Sequence, residues 1–296
     1  MQNAEPVQLR QVRDFGQLIS TTFTFLKQNW KPLSRAILVV GLPAGVIGGF
    51  LAGGSIANLQ QFQVNPGGDP TEVFGLIASS MLGIIPGLLI LMIGWIFVVA
   101  IVHEYIRAYH LGEHHMLTTS DLAKRGFSQM GSYFGASFLV GLLSMVGLVL
   151  CILPGIYAYT VLSLALVSHA IERTGGAGAL GRSNQLVSGD FWPTLGLVIV
   201  IGMINAILNY IVQLPFMITG LVVGINTGLD ALETGENTGL PGWFSLFSSI
   251  STAVQWCVQM LTYPIVAVCM ALKYFSRVEE TEGQGLQEKI AGFEQA

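Results

Sequence analysis

Side chains that can bind metal or transfer protons recur near the end of the second long apolar run. Four of them share one helical spacing, at i, i+4, i+7 and i+11: His103, Arg107, His110 and His114. Two histidines one turn apart on a helix can bind zinc, so a metal site is one hypothesis. The spacing is not His-Glu-x-x-His, however, and a glycine at 112 is expected to end the helix before His114. We therefore interpret His103–His115 as a solvated interfacial cluster, and predict no metal ligand, no cofactor and no catalytic residue.

Amide and hydroxyl side chains form two helical stripes within apolar runs of the C-terminal half. The first stripe is Asn205, Asn209 and Gln213, and the second is Thr252, Gln255, Gln259 and Thr262. An amide surrounded by hydrocarbon needs a hydrogen-bond partner, so the stripes are predicted to face one another across two helices. Such bonds contribute on the order of 0.6 kcal/mol each, which fixes register more than stability. The alternative is a polar cavity between these two helices for a lipid headgroup or small solute.

The composition indicates which elements hold these residues. Of the 296 residues, 52% are hydrophobic and 10% are charged, and the mean hydropathy is +0.64. A soluble domain carries about 25% charged residues, and several runs here reach the roughly 20 apolar residues that cross a bilayer. We predict an all-α polytopic membrane protein with six transmembrane helices as three hairpins. Amphipathic in-plane helices are expected on the cytoplasmic face.

The predicted domain organisation has three parts: a polar, loose N-terminal segment (1–11), a membrane domain (12–277) and a cytoplasmic tail (278–296). Within the membrane domain, a weak pattern repeat covers about 12–110, 118–173 and 176–277. Each repeat combines an amphipathic segment, an interfacial aromatic residue, an outward span and an inward span. In the tail, Leu286, Ile290 and Phe293 favour one short amphipathic helix.

The predicted interfacial anchors of the three repeats are Trp30, Tyr133 and Trp192. The third repeat opens with the stretch ALGRSNQLVSGDFWPTLG, which is typical of a surface-lying helix that leads into a spanning one. In this helix Arg182 is expected among the lipid headgroups, and Leu180, Leu186 and Val187 are expected against lipid.

Prolines are expected to set several span boundaries. Pro32 is predicted to start the first span, and Pro86 and Pro215 to divide two runs that are too long for one upright crossing. Pro264 is expected to kink the sixth span. In the first span, glycines recur every four residues, at Gly41, Gly45, Gly49 and Gly53. This bare stripe predicts close packing of a neighbouring helix, and a ligand groove is the alternative.

Charge predicts the orientation. In a six-span arrangement all 13 Lys and Arg residues fall on one side of the membrane, and the opposite loops carry only acidic residues. The positive-inside rule then places both termini in the cytoplasm, for a protein of the cell inner membrane. The basic residues of the amphipathic segments are expected to hold anionic lipid at about 1 kcal/mol each.

The stretch from Leu153 to Leu195 resembles the membrane domain of the glycerophosphoryl diester phosphodiesterase family and its uncharacterised multi-pass relatives. The motifs that carry the resemblance are Pro154-Gly155, Glu172, Arg182-Ser183, Gly189 to Trp192, Tyr274, Arg277 and Glu282-Gly283. Ser276 and Glu279 depart from the family's usual acidic and basic residues. The family's catalytic part is a separate soluble barrel for which no matching pattern is visible here. The resemblance, over about residues 10 to 290, therefore implies a membrane module without the phosphodiesterase activity.

The sequence favours a non-enzymatic integral membrane protein that acts as an accessory or scaffold subunit, or that organises local lipid. Its expected partners are membrane lipids and other membrane-protein subunits, and no nucleic acid. The main alternative is a transporter or lipid-handling protein with a polar cavity between spans five and six. A more remote alternative is an intramembrane metal-dependent enzyme.

Overall fold

The computed structural model describes residues 5–64, 69–234 and 239–283, with side chains omitted at 61–64. Every regular element within these residues is helical, and six helices are long and apolar enough to cross a membrane. The prediction of an all-α polytopic membrane protein is confirmed. The elements are α1 (Phe15–Val64), α2 (Pro70–His110), α3 (Thr119–Leu150), α4 (Ile152–Val161), α5 (Ala165–Glu172), α6 (Gly175–Ser188), α7 (Phe191–Thr234) and α8 (Phe244–Glu282), with a 3₁₀ turn (Glu113–His115) between α2 and α3. The predicted tail helix at Leu286, Ile290 and Phe293 lies outside the described residues.

The long helices run through prolines that were expected to interrupt them. Pro32 lies within α1, Pro86 within α2 and Pro215 within α7. The predicted divisions at Pro86 and Pro215 are therefore wrong, because neither proline interrupts its helix. Where the first span begins relative to Pro32 stays a prediction. Transmembrane helices tolerate proline because neighbouring groups can satisfy the freed carbonyl. An unbroken helix also satisfies its remaining backbone groups without water.

Two of the three predicted in-plane segments are not separate helices, because they form the first turns of α1 and α3. Only α6 is a separate amphipathic helix, and its apolar face packs on α3, α4 and α5. Leu186 is 2% exposed and Val187 is fully buried, so the prediction that they contact lipid is wrong. Packing on protein satisfies the same amphipathic pattern as packing on a membrane does.

The fourth span consists of two helices, α4 and α5, separated by a turn at Leu162–Leu164. A single extended residue, Cys151, joins α3 to α4, and Pro154 and Gly155 lie in the first turn of α4. A Cβ atom on Gly147 would lie 2.9 Å from the Cα of Gly155, so α3 and α4 touch through their backbones. This hairpin is tight because both helices present glycine at the crossing.

Close packing divides the chain into two compact units. Unit 1 comprises 1–36, 96–205 and 263–296, and unit 2 comprises 37–95 and 206–262. All 13 Lys and Arg residues fall in the ranges of unit 1, and the sequence of unit 2 has none. The charge asymmetry of the sequence therefore follows the packing units.

In unit 2, α1 packs against α8 through the predicted glycine stripe. The first glycine of the stripe, Gly41, is buried. A Cβ atom added to each of the other three would meet α8 at 2.5 to 2.8 Å: Gly45 at Cys257 Sγ, Gly49 at Ala253 Cα and Gly53 at the Ser248 carbonyl. These distances leave no room for a side chain larger than hydrogen. A neighbouring face of α1 approaches α2, where a Cβ on Gly48 would lie 2.8 Å from the carbonyl oxygen of Gly87.

In unit 1, α1 and α2 pack through aromatic side chains. Phe25 is fully buried and makes edge-to-face contacts with Tyr105 and Tyr109 of α2. The hydroxyl of Tyr105 donates to Asn29 Oδ1 at 2.7 Å, so the polar end of this ring is also satisfied. The buried face of α1 fixes the rotation of the helix and thereby determines which residues it exposes.

Candidate functional site

Three basic side chains on α1 form an exposed surface, which we call the basic ridge: Lys27, Lys31 and Arg35. They recur every four residues and therefore lie along one side of the helix. Among the described residues none of the three forms an ion pair or a hydrogen bond through its charged group. Trp30, one of the predicted interfacial anchors, is 42% exposed beside them.

The ridge ends where the apolar part of α1 begins. Leu33 and Ala36 are buried in unit 1, and Leu38 and Val39 just beyond the ridge are exposed and apolar. An exposed helix that changes from basic to apolar and carries a tryptophan among its basic residues is typical of the headgroup level of a bilayer. The ridge is thus an electrostatic surface for anions at that level.

Most other basic residues near the ends of the spans are bound by other groups of the protein. Their acceptors include carboxylates, backbone carbonyls and an amide oxygen, and the residues are Arg13, Arg125, Arg173, Arg182, Lys273 and Arg277. Arg10 also has a partner, the ring of His110. The expectation that all three amphipathic segments present cations to lipid is therefore too broad. Lys124 is the exposed basic residue of α3.

The N-terminal segment predicted to be loose (1–11) is described from residue 5 on, and there it is held to the rest of unit 1 at Leu9. Leu9 is 6% exposed. The guanidinium of Arg13 donates to the carbonyl of Leu9 at 2.9 Å and to the carbonyl of Gln8. The backbone N–H of Arg13 donates to Ser276 Oγ at 3.1 Å. Burial lowers the pKa of Arg13 from its ordinary value. Arg13 therefore holds the N-terminal segment in place and is not available to bind a ligand.

Glu104 of α2 is a buried carboxylate that lies at the centre of an ionic network. It is 2% exposed and accepts two hydrogen bonds from Arg173, both at 2.7 Å. The hydroxyl of Tyr133 donates to the same carboxylate at 3.0 Å, and Arg173 also donates to Gln129 at 3.1 Å. A buried charge is stable only with such complete pairing.

Tyr133 is therefore not an interfacial anchor, and that prediction is wrong. It is fully buried, with its ring 5.7 Å from His103 and 5.1 Å from His169. An anchor has to reach headgroups, whereas this hydroxyl is held by Glu104 inside the protein. Trp192, by contrast, is 77% exposed, as an anchor requires.

The backbone at Arg173 explains how this side chain reaches Glu104. Arg173 ends α5 with φ of 55°, which is the left-handed conformation that non-glycine residues seldom adopt. Its N–H closes α5 on the carbonyl of His169 at 3.2 Å. The bidentate ion pair supports a conformation that costs on the order of 1 kcal/mol.

Arg182 does not lie free among headgroups, so that prediction is also wrong. Its guanidinium donates to Glu172 at 2.7 Å and to Glu282, and Tyr274 donates to Glu172 at 2.6 Å. Burial alone would lower the pKa of Arg182, but the two carboxylates outweigh it and raise the pKa. Arg182 therefore ties α6 to the ends of α5 and α8.

Ser183, the next residue of α6, repairs the break in the fourth span. Because the chain turns between α4 and α5, the carbonyl of Val161 and the N–H of Leu164 lose their usual helical partners. The fully buried hydroxyl of Ser183 donates to the first at 2.6 Å and accepts from the second at 3.2 Å. One side chain thus satisfies both groups.

The histidine segment does not form a metal centre among the described residues. No group of three or more His, Cys, Asp or Glu side chains converges there. His103 contacts the carbonyl of Val99 at 2.9 Å, and His114 stacks on Tyr109 with ring centroids 4.2 Å apart. The rings of His114 and His115 also contact each other in a tilted arrangement, with centroids 3.7 Å apart.

The polar stripes on α7 and α8 meet only in part. Asn209 donates to Thr262 at 3.1 Å, and Gln213 donates to Ser251 at 2.8 Å. The first pair joins members of the two predicted stripes, whereas Ser251 was not predicted. Asn205 is half-buried on α7 in the range of unit 1.

The remaining members of the second stripe face other helices. The hydroxyl of Thr252 lies against Gly53 of α1. Gln255 and Gln259 line a cavity of about 410 Å³ together with Trp95 of α2. This cavity lies between spans two and six, and not between spans five and six as the alternative prediction had it.

No protein-family model, curated protein or solved structure matches this chain significantly. The resemblance to the phosphodiesterase membrane domain therefore stays a prediction.

Proposed function

We propose that this protein is a non-enzymatic membrane protein that organises local lipid by binding anionic headgroups along the basic ridge of α1. The observation that carries the proposal is the contrast in pairing. Lys27, Lys31 and Arg35 are exposed and make no ion pair among the described residues, whereas most other cations of unit 1 are engaged internally. The ridge is therefore the main concentration of available positive charge.

Physical chemistry favours lipid as the ligand. Each basic residue near an anionic membrane surface contributes about 1 kcal/mol of attraction. Three such residues on one side of a helix would contribute about 3 kcal/mol, which is a preference of about a hundredfold for an anionic headgroup over a neutral one. The exposed Trp30 supports a position at the interface. The titratable groups of unit 1 support a structural role, since Glu104, Tyr133 and Arg173 bind one another.

The test compares phosphatidylglycerol with phosphatidylcholine of the same acyl chains, bound to the purified full chain and counted by native mass spectrometry. The triple variant Lys27→Gln, Lys31→Gln and Arg35→Gln is expected to lose the preference for phosphatidylglycerol. The charge-preserving triple Lys27→Arg, Lys31→Arg and Arg35→Lys should retain it. Arg182→Gln, which removes a paired cation, should also retain it. An unchanged preference in the neutral triple would refute the proposal.

A second candidate, an accessory subunit of a membrane complex, is favoured by α7. Only 11% of the residues in its most apolar window are buried, against 44% in those of α1 and α8. A photo-crosslinking amino acid in place of Leu221, which is 64% exposed, would test this candidate in native membranes. One discrete protein adduct supports an accessory role, and adducts with lipid alone reject it.

A further inference from the structure

The cavity between α2 and α8 in unit 2 has a polar lining within an otherwise apolar surrounding. Its walls are two indoles and two primary amides: Trp95, Trp256, Gln255 and Gln259. The indole rings meet edge to face with centroids 6.4 Å apart. No charged residue occurs in the runs 73–102 and 243–272 that supply these side chains, and each run exceeds the about 20 residues of one crossing. The site therefore faces the hydrocarbon part of the bilayer.

The packing of α8 on α1 directs these amides into the cavity. Ala253 and Cys257 of α8 lie against glycines of α1, which fixes the rotation of α8. Gln255 and Gln259 lie two residues away from Cys257 on either side and so point to roughly the opposite side of the helix. They lie one turn apart and share that side.

Three polar groups of the lining have no hydrogen-bond partner among the described residues. They are the side-chain amides of Gln255 and Gln259 and the indole N–H of Trp256. Asn209 and Gln213 in the same unit, by comparison, both donate to hydroxyls of α8. An unpaired amide in hydrocarbon is unfavourable, so a ligand that supplies both acceptors and donors would be retained there.

We propose that this cavity binds an uncharged lipid that carries hydroxyl or carbonyl groups, such as a diacylglycerol or an isoprenoid quinone. The lining has no charge to neutralise a charged headgroup, and transferring an unpaired charge to this depth is costly. Its amides donate and accept, its indole donates, and its aromatic rings contact an apolar body. A volume of about 410 Å³ accommodates a glycerol ester region or a quinone ring with the start of its tail. This site uses none of the ridge residues, so it stands or falls separately from the proposed function.

The experiment measures tryptophan quenching in phosphatidylcholine vesicles. Trp30, Trp192 and Trp243 are each at least 42% exposed and are replaced by phenylalanine, which leaves Trp95 and Trp256 as the only indoles. Diacylglycerol with bromine atoms near its ester groups is compared with equally brominated phosphatidylcholine. A second arm compares an isoprenoid quinone, which quenches through its ring, with an isoprenoid hydrocarbon that is brominated at one end so that it quenches as well.

Two hydrogen bonds of ordinary intramembrane strength give about an eightfold preference for the binding lipid. We expect half-maximal quenching at about an eightfold lower mole fraction of diacylglycerol or of quinone than of the reference lipid. Gln255→Leu with Gln259→Leu should remove the preference, and Gln213→Leu, a matched change on α7, should keep it. The single change Gln255→Leu at an exposed position serves if the double variant fails to fold.

Equal quenching by the binding and reference lipids in both arms would overturn the proposal. That result is expected if water alone fills the cavity. A preference that survives both glutamine substitutions would overturn it as well. Which arm shows the preference identifies the source of the carbonyl or hydroxyl groups.

Discussion

The cations of unit 1 have the same chemistry but two different environments. On α1, Lys27, Lys31 and Arg35 are exposed and recur at the spacing of one helix face. At the ends of α5 and α6, Arg173 and Arg182 are held by carboxylates from other helices. The first set is unpaired among the described residues and is the proposed lipid surface, whereas the second set joins helices. The number of basic residues in unit 1 therefore overestimates the number of cations that could bind an anion.

The difference follows from what each cation can reach. Among the described residues, no carboxylate forms an ion pair with the three α1 side chains. Arg173 lies beside Glu104, a carboxylate that is 2% exposed and therefore needs a partner inside the protein. Removing a cation should therefore lower the free energy of unfolding in the second set and lipid binding in the first.

The largest effect is expected for Arg173→Met. It leaves the Glu104 carboxylate buried without its cation, and loss of one partner of a buried pair costs about 3–5 kcal/mol. The measurement is the free energy of unfolding in mixed detergent micelles. Adding Glu104→Gln should recover part of the loss, because the uncompensated charge is then gone. An Arg173→Met protein as stable as the parent would show that the network does not hold unit 1 together.

Salt should separate the two sets of cations next most strongly. Raising ionic strength from 0.01 to 1 M shortens the screening length from about 30 to about 3 Å. The preference of the ridge for phosphatidylglycerol, about 3 kcal/mol at low salt, should largely disappear. The free energy of unfolding should change far less, because the Glu104 end of the Glu104–Arg173 pair is only 2% exposed. A salt-independent lipid preference would contradict an electrostatic ridge.

Ser183→Ala tests a neutral contact of the helix that also carries Arg182. Alanine leaves the Val161 carbonyl and the Leu164 N–H without their partner, and we expect a loss of about 2 kcal/mol in the free energy of unfolding. Ser188→Ala is the matched control, since Ser188 lies exposed on the same helix. Equal stabilities of the two variants would mean that other groups repair the break in the fourth span.

The smallest effect concerns pH. Burial, and then the neighbouring His115, lowers the pKa of His114 below its usual value. The unfolded chain therefore takes up a proton first as pH falls, and stability is full above the unfolded pKa of about 6.5 and declines below it. His114→Gln should reduce the difference in free energy of unfolding between pH 7.5 and 5.5 by less than about 0.5 kcal/mol, since solvent screens this position. A steeper pH dependence in the variant would reverse the assigned sign.

Local patterns of the sequence predicted the features that depend on one helix at a time. The length of the apolar runs predicted six spans, and the four-residue spacing of glycines in α1 drew attention to the face that meets α8. The same patterns failed where a second helix decides the outcome. Tyr133 looks like an interfacial aromatic residue in its own helix, but Glu104 of α2 holds its hydroxyl.

The contacts that the sequence did not reveal join residues far apart in the chain. Arg173 and Glu104 are separated by 69 positions, and Ser183 and Val161 by 22, so no local spacing connects them. A signal for Glu104 did exist, because a carboxylate directly after a long apolar run requires a partner. Nothing in the local pattern identified that partner.

The sequence by itself determined how many times the chain can cross a bilayer and on which segments its cations lie, since both follow from residue type along one helix. Only the tertiary structure decided which of those cations are paired and which amides of α8 face a cavity. Ion pairs and hydrogen bonds form over about 3 Å, and only the packing of different helices brings their atoms within that distance.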